Sequence, residues 1–161
     1  MKYSLYSLLL AFFFAVMPVQ SAELRAEEKY HVLVHKASES RLGDREVLLF
    51  LKRIYLKQQT TWPDGSKVYF FARRQGSDEE TAFRDVILSM NDAQLNDYWV
   101  KMKQKRGLTP PRAVSSSRIL LRQLQMRANA IGVISGADFN KHAQNNPDVE
   151  ILFTFEVPYH E

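Results

Sequence analysis

Apolar and polar positions along this chain follow two different periods, and the change from one to the other predicts where strands and helices lie. Alternation over residues 28–36, with β-branched residues in the middle, is typical of a strand. The same pattern recurs at residues 67–73 and 149–157, and a short apolar run at 130–134 fits a buried strand. These patterns together predict four strands.

Apolar residues three and four positions apart predict four helices. The first covers residues 45–58, and the second begins at Ser77. The third begins at Asn91 or Asp92, either of which can cap it, and the fourth covers residues 115–129. The residues predicted to face the core from these helices are Val47, Leu48, Leu51, Ile54, Tyr55, Phe83, Val86, Ile87, Leu95, Tyr98, Trp99, Met102, Leu120, Leu121 and Leu124.

The segments between these elements contain turn-forming residues. Pro110 and Pro111 cannot donate a backbone hydrogen bond, so residues 106–114 are predicted to form a rigid loop. Residues 135–148 are polar and are also predicted to form a loop. Trp62 falls in a Pro–Gly turn, where we expect it to be exposed and able to contact another protein.

The predicted order of elements is β-α-β-α-α-α-β-β. Strands separated by helices imply crossover connections and an α/β fold with a layered sheet. Because the last two strands follow one another closely, we expect the sheet to be mixed. The prediction is one small three-layer α/β/α domain over residues 28–158, without repeats or linkers.

The N-terminal segment has the layout of a secretory signal peptide over residues 1–22. Lys2 precedes an unbroken apolar run from Leu8 to Val16, and Pro18 and the small residues around Ser21 follow it. The apolar run is well short of the roughly 20 residues that span a bilayer, which argues against a membrane anchor. We therefore expect cleavage after Ser21 or the next residue, export to the periplasm and no membrane insertion afterwards.

Composition adds few constraints to this picture. The chain has 161 residues and no cysteine, which excludes disulfides and thiolate chemistry. After cleavage about 140 residues would remain, enough for one core. The net charge of +4 is compatible with anionic ligands and specific for none.

The turn at Gly76 and Ser77 is the first candidate binding site. It lies between a predicted strand and a predicted helix, where free backbone N–H groups and the positive end of a helix suit an oxyanion. The Ser77 hydroxyl and a guanidinium from Arg73 or Arg74 would add donors.

A capping box explains the same residues without a ligand. In this interpretation Ser77 accepts from the Glu80 N–H and Glu80 reaches back to the Ser77 N–H. Asp78 and Glu79 would then favour the helix dipole, and they would repel a phosphate. The cap is the simpler interpretation because it needs no ligand to explain the acids.

A second candidate turn combines Arg112 with the serines that open the next predicted helix, Ser115 and Ser116. Ordinary N-capping by a serine explains these residues equally well. If both turns meet at one edge of the sheet, they can share one ligand.

No catalytic or metal-binding arrangement is visible in the sequence. His31 and His35 would lie about 13 Å apart along one strand, too far to chelate one metal ion. The glycines and serine of residues 132–136 do not form a nucleophile elbow, and no phosphate-binding or dinucleotide-binding loop occurs. The basic segment 101–107 fits a helix C-terminus, and it lacks the interleaved aromatic residues of a nucleic-acid surface. We therefore predict no enzymatic activity, no cofactor and no nucleic-acid partner.

An ordered set of short motifs resembles a known family. The set consists of Ile54-Tyr55-Leu56-Lys57, Trp62, Arg73 with Gly76-Ser77, Phe83, Tyr98-Trp99, Gly107 to Arg112 and Ala130 to Ile134. It resembles the phosphate-type substrate-binding proteins of ABC transporters, in the type 2 periplasmic binding protein group. The resemblance covers nearly the whole chain after the signal peptide. It implies the corresponding α/β fold and phosphate or a similar oxyanion as ligand. Members that bind phosphate commonly have two lobes that close on it, and this sequence has room for one.

Two hypotheses of function follow. In the first, the chain is an exported single-lobe relative of these proteins that binds a small oxyanion through Arg73, Arg74, Gly76, Ser77, Arg112, Ser115 and Ser116. In the second, it has lost ligand binding and is a non-catalytic interaction module in a cell-envelope assembly. An envelope protein or a second copy of the chain would then be its partner.

Overall fold

The computed structural model describes residues 28–37 and 42–157, which form a five-stranded sheet with helices around it. The predicted signal peptide, residues 1–22, and the final residue of the predicted domain, 158, lie outside the described residues. The strands are β1 (Lys29–His35), β2 (Tyr69–Arg73), β3 (Arg112–Val114), β4 (Ala130–Ser135) and β5 (Val149–Glu156). The helices are α1 (Asp44–Tyr55), α2 (Asp78–Ala82), the π-helix Phe83–Leu88, α3 (Asp92–Arg106), α4 (Ser117–Met126) and α5 (Gly136–His142).

The sheet is mixed, as predicted, but for a different reason. Its strand order is β3-β2-β4-β1-β5, in which β2 runs parallel to both β3 and β4. The first strand lies between β4 and β5 and runs antiparallel to both. The last two strands are therefore not paired with each other, and α5 lies on the connection between them.

Two apolar clusters lie on opposite faces of the sheet, which confirms the three-layer arrangement. Alternate residues of β1 divide between them: Val32 and Val34 belong to the first cluster, and Leu33 belongs to the second. Helix α1, the π-helix and α3 cover the first face, and α4 and α5 cover the second. Alternation along the strands is therefore what separates the two layers of helices.

Two segments predicted as loops contain regular structure. The three residues of β3 follow Pro110 and Pro111 directly and form one edge of the sheet. Prolines are tolerated at the start of an edge strand, because no neighbouring strand needs their missing N–H groups. Helix α5 begins after Ser135, whose hydroxyl accepts from the Asp138 N–H at 3.2 Å. It escaped prediction because seven residues are too few for a clear helical period.

For two side chains the burial is the reverse of the prediction. Trp62 is only 3 % exposed. Its ring centroid is 4.8 Å from that of Phe50, and its Nε1 donates to the Asn129 carbonyl at 3.4 Å. Leu48, predicted to face the core, is 39 % exposed. The turn therefore folds its tryptophan inward and exposes Pro63 instead.

Candidate functional site: the edge of the sheet where β2 and β3 end

The two predicted binding turns leave the sheet side by side. In the parallel pair of β2 and β3, Arg73 lies opposite Val114, and the Arg74 N–H donates to the Val114 carbonyl at 3.2 Å. The turn after β2 leads into α2, and the turn after β3 leads into α4. The structure therefore brings both turns to one sheet edge, the carboxyl end of parallel strands, where ligands bind in open α/β sheets.

The Gly76–Ser77 turn is capped from within the chain. Gly76 has a φ of 77°, which glycine adopts without strain. The Ser77 hydroxyl accepts from the Glu80 N–H at 3.3 Å, as the capping interpretation predicts. The return bond differs from that prediction, because Glu80 Oε2 accepts from the Gly76 N–H at 3.2 Å while the Ser77 N–H donates to the Arg74 carbonyl. A carboxylate of the chain itself thus occupies an amide that a bound oxyanion would use.

The two neighbouring arginines have different surroundings. Arg73 forms an ion pair with Glu79, with Nη2 2.9 Å from Oε1, and the two side chains are only 7 % and 10 % exposed. Arg74 is exposed at the sheet edge. Arg74 is therefore accessible to an anion from solution, whereas the charge of Arg73 is already balanced inside the fold.

A further arginine, Arg84, forms ion pairs with acidic residues of this region, and the sequence analysis did not identify it as a site residue. Arg84 lies 3.4 Å from Glu80, 3.1 Å from Asp85 and 3.4 Å from Asp92. The Glu80–Arg84 spacing of four residues is a signal that sequence reasoning could have used. The Asp92 contact depends on how α3 returns towards α2, which no local pattern shows.

The second turn is also capped from within the chain. The Ser116 hydroxyl accepts from the Ile119 N–H at 3.3 Å, which makes Ser116 the N-cap of α4. Ser115 is exposed in this turn. Arg112 is also exposed, but it is the first residue of β3, opposite Phe71, so it lies at the other end of that strand from the predicted turn. The buried Ser117 donates a short hydrogen bond to Asp138, which ties the start of α4 to α5. The turn itself thus offers the Ser115 hydroxyl beside an ordinary helix cap.

Within residues 28–37 and 42–157, no group of three or more histidine or acidic side chains could hold a metal ion. In the same part of the chain, no helix combines the length and the apolar character needed to cross a membrane.

Comparison with solved structures identifies the fold. A PstS from Borrelia burgdorferi superposes with a TM-score of 0.57 at 13 % identity, covering 78 % of this chain and 46 % of its own. An ABC-type phosphate transport receptor from Vibrio cholerae gives a TM-score of 0.56 at 17 % identity, covering 77 % and 45 %. A Clostridium perfringens protein assigned as a phosphate ABC transporter substrate-binding protein, solved with bound phosphate, gives 0.51 at 20 % identity, covering 68 % and 40 %.

The predicted resemblance in fold to phosphate-type substrate-binding proteins is therefore confirmed. The chain spans less than half the length of each of these three structures. No protein-family model matches the sequence, and no curated protein is similar to it.

Proposed function

We propose that this chain is an exported, non-enzymatic binding protein that holds a small oxyanion at the sheet edge where β2 and β3 end. The observation that carries this proposal is the side-by-side exit of the two turns, established by the Arg74 N–H bond to Val114. Phosphate is the oxyanion to test first, because the similar structures are described as phosphate transport proteins, one of them with bound phosphate.

Exposed donors supply the attraction in this proposal. Arg74 is the exposed cation of the first turn, and Ser115 adds an exposed hydroxyl in the second. The exposed Arg112 lies at the start of β3, farther from both turns. The first turn contributes the positive end of α2, although the N–H groups of Gly76 and Ser77 already donate to Glu80 and to the Arg74 carbonyl. Arg73 contributes less, because Glu79 already balances its charge.

Two features keep the proposed affinity modest. A single lobe cannot surround an anion, so much of the ligand stays in water unless a second copy or another protein closes the site. Glu80 also occupies the Gly76 N–H, and Asp78 is exposed in the first turn of α2. Both carboxylates repel an incoming anion.

The interaction module remains the second candidate, and one observation favours it. The carboxylate of Glu79 already balances the charge of Arg73, and that of Glu80 already accepts from the Gly76 N–H, so this turn is closed without a ligand. A lobe closed in this way would present its surface to an envelope protein instead of a solute.

Both candidate functions assume export to the periplasm, which is inferred from the sequence of residues 1–22. The N-terminal residue of the protein recovered from the periplasm tests it. An intact Met1 on that protein would exclude cleavage after Ser21 or Ala22.

Phosphate should raise the melting temperature, and the Asp78→Ser variant should respond more strongly than the wild type. Removing an exposed charge near the anion changes the binding free energy by roughly 1 kcal/mol, which makes binding about fivefold tighter. The measurement is thermal unfolding over a phosphate series at constant ionic strength.

The matched control is Asp97→Ser, which removes an exposed acid from α3, a helix that follows neither turn directly. Phosphate stabilises many proteins through exclusion from their surfaces, so the informative quantity is the difference between the two variants. If Asp78→Ser and Asp97→Ser respond equally at millimolar phosphate, oxyanion binding at this edge is wrong and the interaction module stands.

A further inference from the structure

A cavity of about 390 Å³ lies at the opposite end of β2 from the proposed oxyanion site. It is bordered by the end of α1, the start of β2 and the loop that leads into β3. Ile54, Val68, Phe70, Leu108 and Pro111 form its apolar wall. The volume falls within the roughly 300–1,000 Å³ of pockets for small molecules, so the cavity is large enough for a small organic ligand.

Three cationic side chains line this cavity, and no carboxylate does. They are Lys57, Lys67 and Arg112. Lys67 and Arg112 are exposed and Lys57 is partly exposed, so a dissolved ligand can reach all three. Within residues 28–37 and 42–157, none of them takes part in an ion pair, whereas Arg73 and Arg84 both do. The cavity therefore has a positive charge that the described part of the fold leaves unbalanced.

Lys57 has an unusual backbone conformation. It follows Leu56, the C-cap of α1, and has a φ of 53°. Glycine is the usual residue at this position of a helix end, because a residue with a side chain is strained there. Strain of this kind is found where a side chain has a function. Here the strained residue places a cation on the wall of the cavity.

Two contacts with one aromatic ring concentrate positive charge at this end of the sheet. Nζ of Lys67 lies 5.3 Å from the centroid of the Tyr69 ring, and Cζ of Arg127 lies 5.4 Å from it. The ring attracts these cations through its quadrupole and does not neutralise them. Tyr69 and Phe70 both line the cavity and are half-buried, so their rings can contact a ligand beside the cations.

These features define the chemistry of a ligand. Several cations favour an anion with more than one negative charge. A phosphate monoester has a charge of about −1.5 to −2 at neutral pH and three terminal oxygens, which guanidinium and ammonium groups bind. A wall of apolar and aromatic side chains favours an aromatic body. Inorganic phosphate matches the cations and leaves the wall uncovered.

We propose that this cavity binds a small phosphate monoester with an aromatic body, through Lys57, Lys67 and Arg112. This site is distinct from the sheet-edge oxyanion site and does not depend on it. Phenyl phosphate is a suitable probe, because it joins one phosphate group to one aromatic ring.

Isothermal titration calorimetry at constant ionic strength measures the affinity, since salt screens exposed charges. Phenyl phosphate should bind saturably. Phenol and inorganic phosphate, the two halves of the probe, should each bind about tenfold more weakly. In amide NMR spectra, phenyl phosphate should shift the amides of residues 57–60 and 67–70, which border the cavity.

Exposed cations provide the first set of variants. Lys67→Gln and Arg112→Gln should each weaken the binding of phenyl phosphate about fivefold. The matched control is Lys101→Gln, which removes an exposed lysine of α3 that does not line the cavity, and it should leave the affinity unchanged. Because all three positions are exposed, each variant should fold like the wild type.

Two adjacent threonines provide a second pair of variants. Thr60 lines the cavity and Thr61 does not, and both are exposed. Thr60→Trp should fill the cavity and abolish the shifts at residues 67–70, whereas Thr61→Trp should retain them. Thermal unfolding of each variant shows that it is folded.

Four results would each overturn the proposal. They are the absence of a saturable response to phenyl phosphate, equal affinity for one of its two halves, amide shifts confined to residues 76–78 and 115–117, and equal losses in Lys67→Gln and Lys101→Gln. A full response in a folded Thr60→Trp variant would also exclude binding in this cavity.

Discussion

Replacing Arg73 with methionine should lower the free energy of unfolding by about 3–5 kcal/mol, because it strands Glu79 as a buried charge without its partner. The ion pair at 2.9 Å is almost completely shielded from water, so solvent screens it little. Equilibrium unfolding in urea, with the midpoint and slope fitted together, measures the change.

The adjacent arginine provides the control. Arg74→Met removes the same charge at an exposed position, and surface substitutions of this kind usually change stability by less than about 0.5 kcal/mol. The double variant Arg73→Met, Glu79→Met should return to within about 1 kcal/mol of the wild type, because it leaves neither a buried charge nor a buried polar side chain without a partner. Equal small effects of Arg73→Met and Arg74→Met would show that the pair is open in solution.

Introducing a methyl group at Gly132 should also destabilise the fold, by about 1–3 kcal/mol. Gly132 lies on the central strand β4, opposite Leu33 on one side and Phe71 on the other. A Cβ there would overlap Cδ1 of Leu120, and it would lie 3.1 Å from Cδ2 and Cγ of the same side chain. Leu120 is fully buried, so it has no empty space to move into.

Shortening Leu120 should reverse that effect. Leu120→Ala alone leaves a cavity and should cost about 2–5 kcal/mol. In that background the added methyl of Gly132→Ala fills part of the space, so the second substitution should cost nothing or recover stability. A double-mutant cycle from urea unfolding measures this coupling. Additive losses would mean that α4 does not pack against β4 at this glycine.

Alternation and helical spacing were sufficient to predict most of the fold. Strong local periods predicted four of the five strands and the main helices, because each of those segments buries one face along its own length. The missing strand, β3, has three residues and follows two prolines, so pairing with β2 and not its own pattern makes it a strand. Likewise, Trp62 is buried by its contact with Phe50, a residue on another element.

Those features of the site that depend on contacts between residues distant in sequence could not be predicted. The sequence left open whether the two turns meet, because residues 112–114 were predicted as part of a loop; the parallel pairing of β3 with β2 brings the turns together. The different surroundings of Arg73 and Arg74 could not be predicted, since they depend on which of the two reaches Glu79.

Amide NMR spectra recorded during a phosphate titration test the sheet-edge site most directly, since each backbone N–H reports its own surroundings. We expect saturable shifts concentrated at the amides of residues 76–78 and 115–117, the two turns that leave the sheet together after β2 and β3. Unchanged amides in both turns at millimolar phosphate, or shifts confined to another part of the surface, would contradict oxyanion binding at this edge.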